Sequence, residues 1–138
     1  MLNRRYFMCV FVPTLMALNS VCASAGTFRH DAYFNGTYLM GVESVEEMDY
    51  YTNLYPGIDE PIPTMIFHRN GTVDIGTESA TYQTSRGGRT IVINYVPPPT
   101  SYFSTVQYVL HREDGDYYWG EILFDGYLYG IIQGQLTP

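Results

Sequence analysis

Two segments of the chain place a His-Arg pair directly before a turn. In the first, FHRNGTV, the pair is His68 and Arg69, and in the second, LHREDGD, it is His111 and Arg112. Histidine can transfer protons or bind a metal near neutral pH, and arginine binds oxyanions through paired N–H groups. The repetition could therefore be a catalytic element used twice, or two equivalent positions in a repeated architecture.

The other residues with useful chemistry form no known reaction motif. The spacing of His30, His68 and His111 does not resemble a metal-ligand pattern, so we expect no metal and no cofactor. The segment REDGD, residues 112–116, lacks the ligand series of a calcium loop. The chain has no lysine, and no serine lies in a G-x-S-x-G motif. We expect no enzyme activity, and keep a barrel hydrolase or isomerase as a third hypothesis.

The first 25 residues have the pattern of a secretory signal peptide. Two arginines precede an apolar segment, and the sequence Ala-Ser-Ala offers a cleavage site after Ala25. We therefore expect a leader over residues 1–25 and a single domain over residues 26–138 of a secreted or periplasmic protein. Both cysteines lie in the leader, so the domain must be stable without a disulfide. No later segment approaches the roughly 20 apolar residues of a membrane-spanning helix.

Acidic residues dominate the charge of the predicted domain. After residue 25 the sequence contains five arginines and all fourteen acidic residues, which gives a net charge of −9 with neutral histidines. Nucleic acids and anionic membranes bind to cationic surfaces. We therefore expect no nucleic-acid partner, and consider instead a small molecule or a protein.

The residue pattern after the leader is typical of an all-β protein. Short runs of Tyr, Val, Ile and Thr are separated by Asn-Gly, Asp-Gly, Gly-Gly and Pro clusters. One short helix is possible in VESVEEMDYY, from Val42 to Tyr51. Strands are predicted near residues 37–43, 64–68, 72–76, 79–85, 89–96, 102–112, 116–123 and 127–136. Eight strands joined mainly by hairpins predict an antiparallel up-and-down barrel, which has no exposed sheet edges.

The length of each turn decides which residues face the barrel interior. A three-residue loop of Arg69, Asn70 and Gly71 gives one wholly apolar face, whereas a two-residue turn does not. The same loop length is predicted for the two hairpins near the C-terminus. The resulting strand pairs are Met65 with Ile75, Phe67 with Val73, Leu110 with Tyr118, and Ile122 with Leu128. Trp119 then faces outward beside Leu123.

The segment Phe34-Asn35-Gly36-Thr37-Tyr38 resembles the F-x-G-x-W sequence at the start of lipocalins, with Tyr38 in place of the tryptophan. The eight-strand meander with a long first loop is also similar to small bacterial lipocalin-like barrels. This resemblance implies that residues 44–63 lie over an open barrel mouth and cover a ligand there. The Asn35-Gly36 pair, taken alone, also predicts a tight turn.

Candidate ligand contacts are the aromatic and apolar residues of the long loop and of the barrel end that the loop would cover. They are Tyr50, Tyr51, Leu54, Tyr55, Tyr102, Phe124 and Tyr127. Tyrosine faces and carboxylates both attract positive charge, so the expected ligand is a small apolar or cationic molecule. The alternative is that these tyrosines pack the loop onto the barrel and that the nearby acidic residues are simply solvated.

Successive hairpins of a meander alternate between the two barrel ends, so the turns at 69–71, 86–89 and 113–115 share the opposite end. The residues there form a candidate basic rim: His68, Arg69, Arg86, Arg89, His111 and Arg112. Such a rim could contact an anionic protein surface, or simply keep the protein soluble. A protein-interaction module, such as an enzyme inhibitor or a surface-associated factor, is therefore the alternative to a ligand-binding barrel.

Overall fold

The computed structural model describes residues 26–85 and 88–138, so the predicted leader, its cleavage site and Arg86 lie outside the described residues. The elements, in chain order, are β1 (Ala32–Met40), α1 (Val45–Leu54), β2 (Glu60–Pro61), β3 (Met65–Phe67), β4 (Thr72–Ile75), β5 (Glu78–Ser85), β6 (Thr90–Tyr95), β7 (Val106–Asp114), β8 (Tyr117–Phe124) and β9 (Tyr127–Thr137). Strands β1 and β3 to β9 pair antiparallel in sequence order, and β1 also pairs with β9. The predicted closed eight-stranded meander is therefore confirmed.

The first strand differs from the prediction because Asn35-Gly36 forms no turn. Both residues lie within β1, where Gly36 is opposite Gly134 of β9. A side chain at Gly36 would overlap the carbonyl oxygen of Gln133, and one at Gly134 would overlap that of Asn35. Glycine is therefore needed where two backbones meet closely at the seam that closes the barrel.

The predicted register holds in one of the three hairpins. Phe67 is opposite Val73 and Met65 is opposite Ile75, as expected, with Gly71 in the left-handed conformation at φ 91°. The other two hairpins have two-residue turns, Gly115-Asp116 and Asp125-Gly126. A bulge near each turn shifts the strand register.

The two predicted pairs in those hairpins are therefore wrong. Leu110 lies opposite Gly120 instead of Tyr118, and Ile122 lies opposite Gly130 instead of Leu128. Each pairing moves by two residues because a tight turn plus one bulged residue replaces the three-residue loop. The faces are kept, since a shift of two residues does not exchange the sides of a strand.

Side chains of the strands fill the barrel interior. The largest are fully buried, among them Phe34, Phe67 and Leu110. The buried members of the interior cluster are Ala32, Phe34, Met65, Phe67, Val73, Ala80, Tyr82, Ile91, Ile93, Leu110, Tyr118, Ile122 and Ile132. Burial also raises the pKa of Tyr108, which packs against this cluster. The interior is thus a packed core of the kind that small barrels build from their own residues.

Helix α1 packs on the outer wall of the barrel. It begins after Ser44, whose hydroxyl accepts a hydrogen bond from the Glu47 amide at 3.1 Å. Its buried Met48 forms a second apolar cluster with Ile131 of β9. Ile131 faces outward, because its neighbour Ile132 belongs to the interior cluster and successive strand residues alternate between faces. The lipocalin resemblance implied that this segment covers the barrel mouth. The helix lies on the outer wall instead.

The strand order gives the barrel two chemically different ends. The acidic end is formed by the segments on either side of α1 (41–44 and 55–64) and by the connections 76–77, 96–105 and 125–126 with the adjoining strand ends. The basic end is formed by the segment 26–31, by residues 68–71, 88–89 and 115–116, and by the adjoining strand ends. Arg69 and Arg112 share the basic end, as the meander predicted. No helix among the described residues has the length and apolarity needed to span a membrane.

Candidate functional site

The acidic end carries carboxylates with no neighbouring base among the described residues. Five acidic residues lie on its connections and strand ends: Glu43, Asp59, Glu60, Glu78 and Asp125. Two are held by tyrosines of the barrel, since the Tyr38 hydroxyl donates to Glu60 at 3.1 Å and the Tyr95 hydroxyl donates to Glu78 at 2.8 Å. These hydrogen bonds raise the pKa of Tyr38 and of Tyr95, so both tyrosines stay neutral donors.

Four aromatic rings contact one another at the acidic end. Phe103 stacks on Phe124 with ring centroids 4.6 Å apart and meets Tyr129 edge-on at 5.5 Å. Tyr102 adds a further edge contact to Phe103 at 5.3 Å. We call Tyr102, Phe103, Phe124 and Tyr129 the aromatic cap. Its inner side packs on the core through Phe124, while Tyr102 is 94% exposed, so the cap offers an aromatic surface to solvent.

Asp125 anchors the loop that carries the cap. Its carboxylate oxygen Oδ1 accepts hydrogen bonds from the Ser104 amide at 2.9 Å and the Thr105 amide at 2.8 Å. Its own amide donates to the Thr105 carbonyl at 3.0 Å. Asp125 adopts a left-handed φ of 49° beside Gly126 at 85°, the geometry of an Asp-Gly type I′ turn. The turn thus positions a carboxylate that fixes the loop 96–105 over the barrel end.

The structure separates the predicted ligand contacts into two groups. Tyr102, Phe124 and Tyr127 lie at the acidic end, where Tyr127 pairs with Phe124 across the hairpin and is 74% exposed. The remaining predicted contacts lie on or directly after α1, on the outer wall: Tyr50, Tyr51, Leu54 and Tyr55. Tyr51 packs against the cluster beneath the helix, as in the alternative that the tyrosines attach the loop to the barrel.

Sequence reasoning missed Phe103 and Tyr129 as members of this surface. Phe103 was included in a strand predicted to begin at residue 102, but β7 begins at Val106. The signal was the Pro97-Pro98-Pro99 run followed by the turn residues Thr and Ser, which extends the connection beyond residue 101. Inside this connection Phe103 packs on Phe124, whereas the neighbouring Tyr102 stays exposed.

The predicted basic rim lies at the basic end, but its side chains have different neighbours. Arg69 lines an open hollow with Thr27, Phe28 and Arg29. Arg112 donates from Nε to the Gly115 carbonyl at 2.6 Å and so stays on its own turn. The Arg89 carbonyl accepts from the Arg112 amide at 2.8 Å, which joins the ends of β6 and β7. The fourth arginine of the predicted rim, Arg86, lies outside the described residues.

The two histidines of the His-Arg pairs face outward, each toward a carboxylate on a neighbouring strand. His68 contacts Asp74 at 2.8 Å through Nε2 and Asp31 at 3.4 Å through Nδ1. The hydrogen bond to Asp74 is the main cause that raises the pKa of His68, and it lowers the pKa of Asp74. Ser79 donates to Asp74 at 3.0 Å and not to His68, so the arrangement lacks the contact between nucleophile and base that a triad requires.

His111 occupies the equivalent position on the other side of the barrel. Its Nε2 lies 3.1 Å from Glu121, and its ring packs on Trp119 with centroids 4.6 Å apart. Trp119 faces outward as predicted, and this histidine covers part of its ring. The repeated His-Arg pair thus gives each hairpin an outward histidine that pairs with a carboxylate across strands.

In residues 26–85 and 88–138 no three His, Cys, Asp or Glu side chains are grouped in a way that could hold a metal ion. No protein-family model, no curated protein and no solved structure matches this chain. What the structure shares with lipocalins is the closed eight-stranded barrel. Within it, Phe34 and Tyr38 both belong to the interior face of β1.

Proposed function

We propose that this protein is an exported interaction module whose acidic end binds a cationic group on a partner protein. The observation that carries the proposal is the exposed aromatic cap at a barrel end whose charged side chains, within residues 26–85 and 88–138, are all carboxylates. The filled interior also favours an external contact, since the barrel cluster occupies the space that a lipocalin-type ligand needs. The proposal assigns the protein no catalytic role, and its setting outside the cytoplasm rests on the leader sequence.

The chemistry of the cap fits an arginine or lysine side chain of the partner. A guanidinium or ammonium group is attracted to the face of a tyrosine ring, and the gain is about 0.5–1 kcal/mol at an exposed site. Tyr102 of the cap and Tyr127, which pairs with Phe124, are both exposed, and the carboxylates of the acidic end add a favourable field for a cation. Aromatic anchors of this kind, surrounded by polar groups, are typical of the centres of protein interfaces.

The test uses isotope-labelled protein expressed from the full-length chain and an arginine-rich peptide as the probe. We expect the peptide to shift the amide resonances of Tyr102, Tyr127 and Tyr129, and a glutamate-rich peptide to leave them unchanged. The double variant Tyr102→Ala/Tyr127→Ala should weaken binding about tenfold, as expected for the loss of two exposed cation–π contacts. Tyr50→Ala is the matched control, because Tyr50 is also exposed but lies on α1.

Two outcomes contradict the proposal. If Tyr50→Ala weakens binding and the double variant does not, the peptide binds the helical wall and not the acidic end. If tetramethylammonium saturates the same resonances as tightly as the peptide does, the site serves small cations, and the ligand-binding hypothesis replaces the interaction module.

A further inference from the structure

The basic end contains a hollow that the proposed contact at the acidic end does not use. It has a volume of about 330 Å³, is open to solvent, and is lined by Thr27, Phe28, Arg29 and Arg69. Two arginines and one phenylalanine therefore line a single depression.

The wall of the hollow is fixed by hydrogen bonds between distant parts of the chain. The Thr27 hydroxyl donates to the Arg69 carbonyl at 2.8 Å, which joins the N-terminal segment to the turn after β3. The Phe28 amide donates to the Tyr82 hydroxyl at 3.0 Å, and that hydroxyl donates to the His68 carbonyl at 2.6 Å. The backbone at Arg69 and at Phe28, which precedes Arg29, is thus held in place before any ligand arrives, which lowers the entropic cost of binding.

Neither arginine is neutralised by a carboxylate. Among the described residues the ion pairs within 4.0 Å all involve His68 or His111. All fourteen acidic residues of the chain lie in the described part, so none of them escapes this comparison. Asp31, the acidic residue nearest to Arg29 in the sequence, contacts His68 at 3.4 Å instead. The hollow therefore has two exposed cationic groups available for a ligand.

We propose that this hollow binds an oxyanion, either a carboxylate or a phosphate, between Arg29 and Arg69. Planar guanidinium groups bind both anions through paired N–H donors, and such charge-assisted hydrogen bonds are stronger than neutral ones. The ring of Phe28 stacks on Tyr82 with centroids 5.6 Å apart and remains half-buried, so it offers an apolar surface beside the anion. This surface favours an aromatic carboxylate over an equally charged ion without an apolar body.

The experiment titrates the isotope-labelled protein separately with sodium phosphate, sodium benzoate and uncharged benzyl alcohol. We expect at least one of the anions to shift the resonances of Phe28, Arg29 and Arg69 with a dissociation constant of about 1 mM, appropriate to a small exposed site. Binding of phosphate alone identifies a phosphate ligand, and preferential binding of benzoate identifies a carboxylate with an apolar body. Both results support the oxyanion site.

Variants separate a defined site from general attraction to a basic surface. Arg29→Gln and Arg69→Gln should each weaken binding about fivefold or more, because each removes a charge-assisted contact. Arg89→Gln is the control, since it removes the same charge from the same end but does not line the hollow. The proposal is overturned if Arg89→Gln weakens binding equally, if benzyl alcohol produces the same shifts, or if neither anion moves these resonances. None of these results depends on the acidic end, so the two proposals fail separately.

Discussion

The two ends of the barrel are closed by different means. At the basic end, the N-terminal segment is part of the fold: Gly26 forms a two-way backbone bridge with Thr84, and Phe28 packs on the fully buried Phe67. At the acidic end, the ring of Phe103 lies on Phe124, but the loop is fixed mainly by one carboxylate, that of Asp125. The N-terminal segment is therefore held by backbone pairing and contact with buried rings, whereas the loop 96–105 combines more exposed ring contacts with the anchor of Asp125.

The charges of the two ends differ in the same way. The basic end mixes arginines with acidic residues, including Asp31 and Asp116, and its His68 and His111 are paired with carboxylates. Among the described residues, all charged side chains of the acidic end are carboxylates. A surface with one sign of charge and exposed tyrosines is suited to binding an oppositely charged partner over a broad area. On a surface of mixed charge, unpaired cationic groups occur only locally, as in the hollow beside Arg29. The comparison therefore predicts a broad contact at one end and a small site at the other.

The largest effect is expected from disrupting the seam between β1 and β9 that closes the barrel. Gly134→Val introduces a side chain that would overlap the Asn35 carbonyl between β9 and β1. We expect the free energy of unfolding, measured by urea denaturation, to fall by about 3 kcal/mol or more. Gly26→Ala is the control, because a Cβ there would have no neighbour closer than 3.9 Å. Equal stability of the two variants would contradict the closed seam.

A smaller effect should distinguish the two rings that cover the ends. Phe28→Ala removes contacts with Phe67 and Tyr82, both of which are almost fully buried, and should cost about 2 kcal/mol. Phe103→Ala removes contacts with the more exposed Phe124 and Tyr129, and should cost about 1 kcal/mol. Urea denaturation of both variants measures the order. The reverse order would mean that the acidic end, and not the basic end, is part of the cooperative core.

The polar anchor is tested at Asp125. Asp125→Ala removes the acceptor of two backbone amides and places alanine at a left-handed φ, so we expect a loss of about 1–2 kcal/mol and faster hydrogen exchange at Ser104 and Thr105. Asp125→Asn is the matched control, since asparagine tolerates this φ and keeps a side-chain oxygen. If exchange at both amides is unchanged in the alanine variant, another contact holds the loop.

The closed barrel could be predicted from sequence because its pattern is local and redundant. The hairpin at Asn70-Gly71 shows this: only one loop length puts Phe67 and Val73 on a wholly apolar face. The hairpins after β7 and β8 could not be resolved in this way. A two-residue turn with a bulge leaves the same residues inside as a three-residue loop does, so the face pattern fits both.

The position of α1 and the composition of the site depended on contacts that sequence spacing does not reveal. Ile131 and Ile132 are adjacent, so one of them must face outward, and the outer one is covered by the helix. A covered outer wall was thus predictable in principle from this pair. The aromatic cap was not, because the stacking of Phe103 on Phe124 joins a connection to a strand end more than twenty positions away.

The smallest effect concerns His68 at the basic end and its dependence on pH. The pKa of His68 is raised above its ordinary value of 6.5, so the protonated histidine stabilises the fold below that pH and the contribution is lost as pH rises through the raised value. The pKa of Asp74 is lowered from 3.8, so its contribution is lost as pH falls below that value. The pair should therefore stabilise the protein most between these two ordinary values, and only slightly, because both side chains are partly exposed.

Titration of the His68 ring resonances by NMR measures this coupling directly. Asp74→Asn should lower the pKa of His68 more than Asp31→Asn does, because the 2.8 Å contact to Asp74 is the larger cause of the shift and the 3.4 Å contact to Asp31 is the smaller one. Equal shifts in the two variants would mean that His68 responds to the general field of the basic end and not to one partner. In that case the basic end would share the diffuse electrostatics of the acidic end, and the contrast between a local and a broad charge surface would no longer hold.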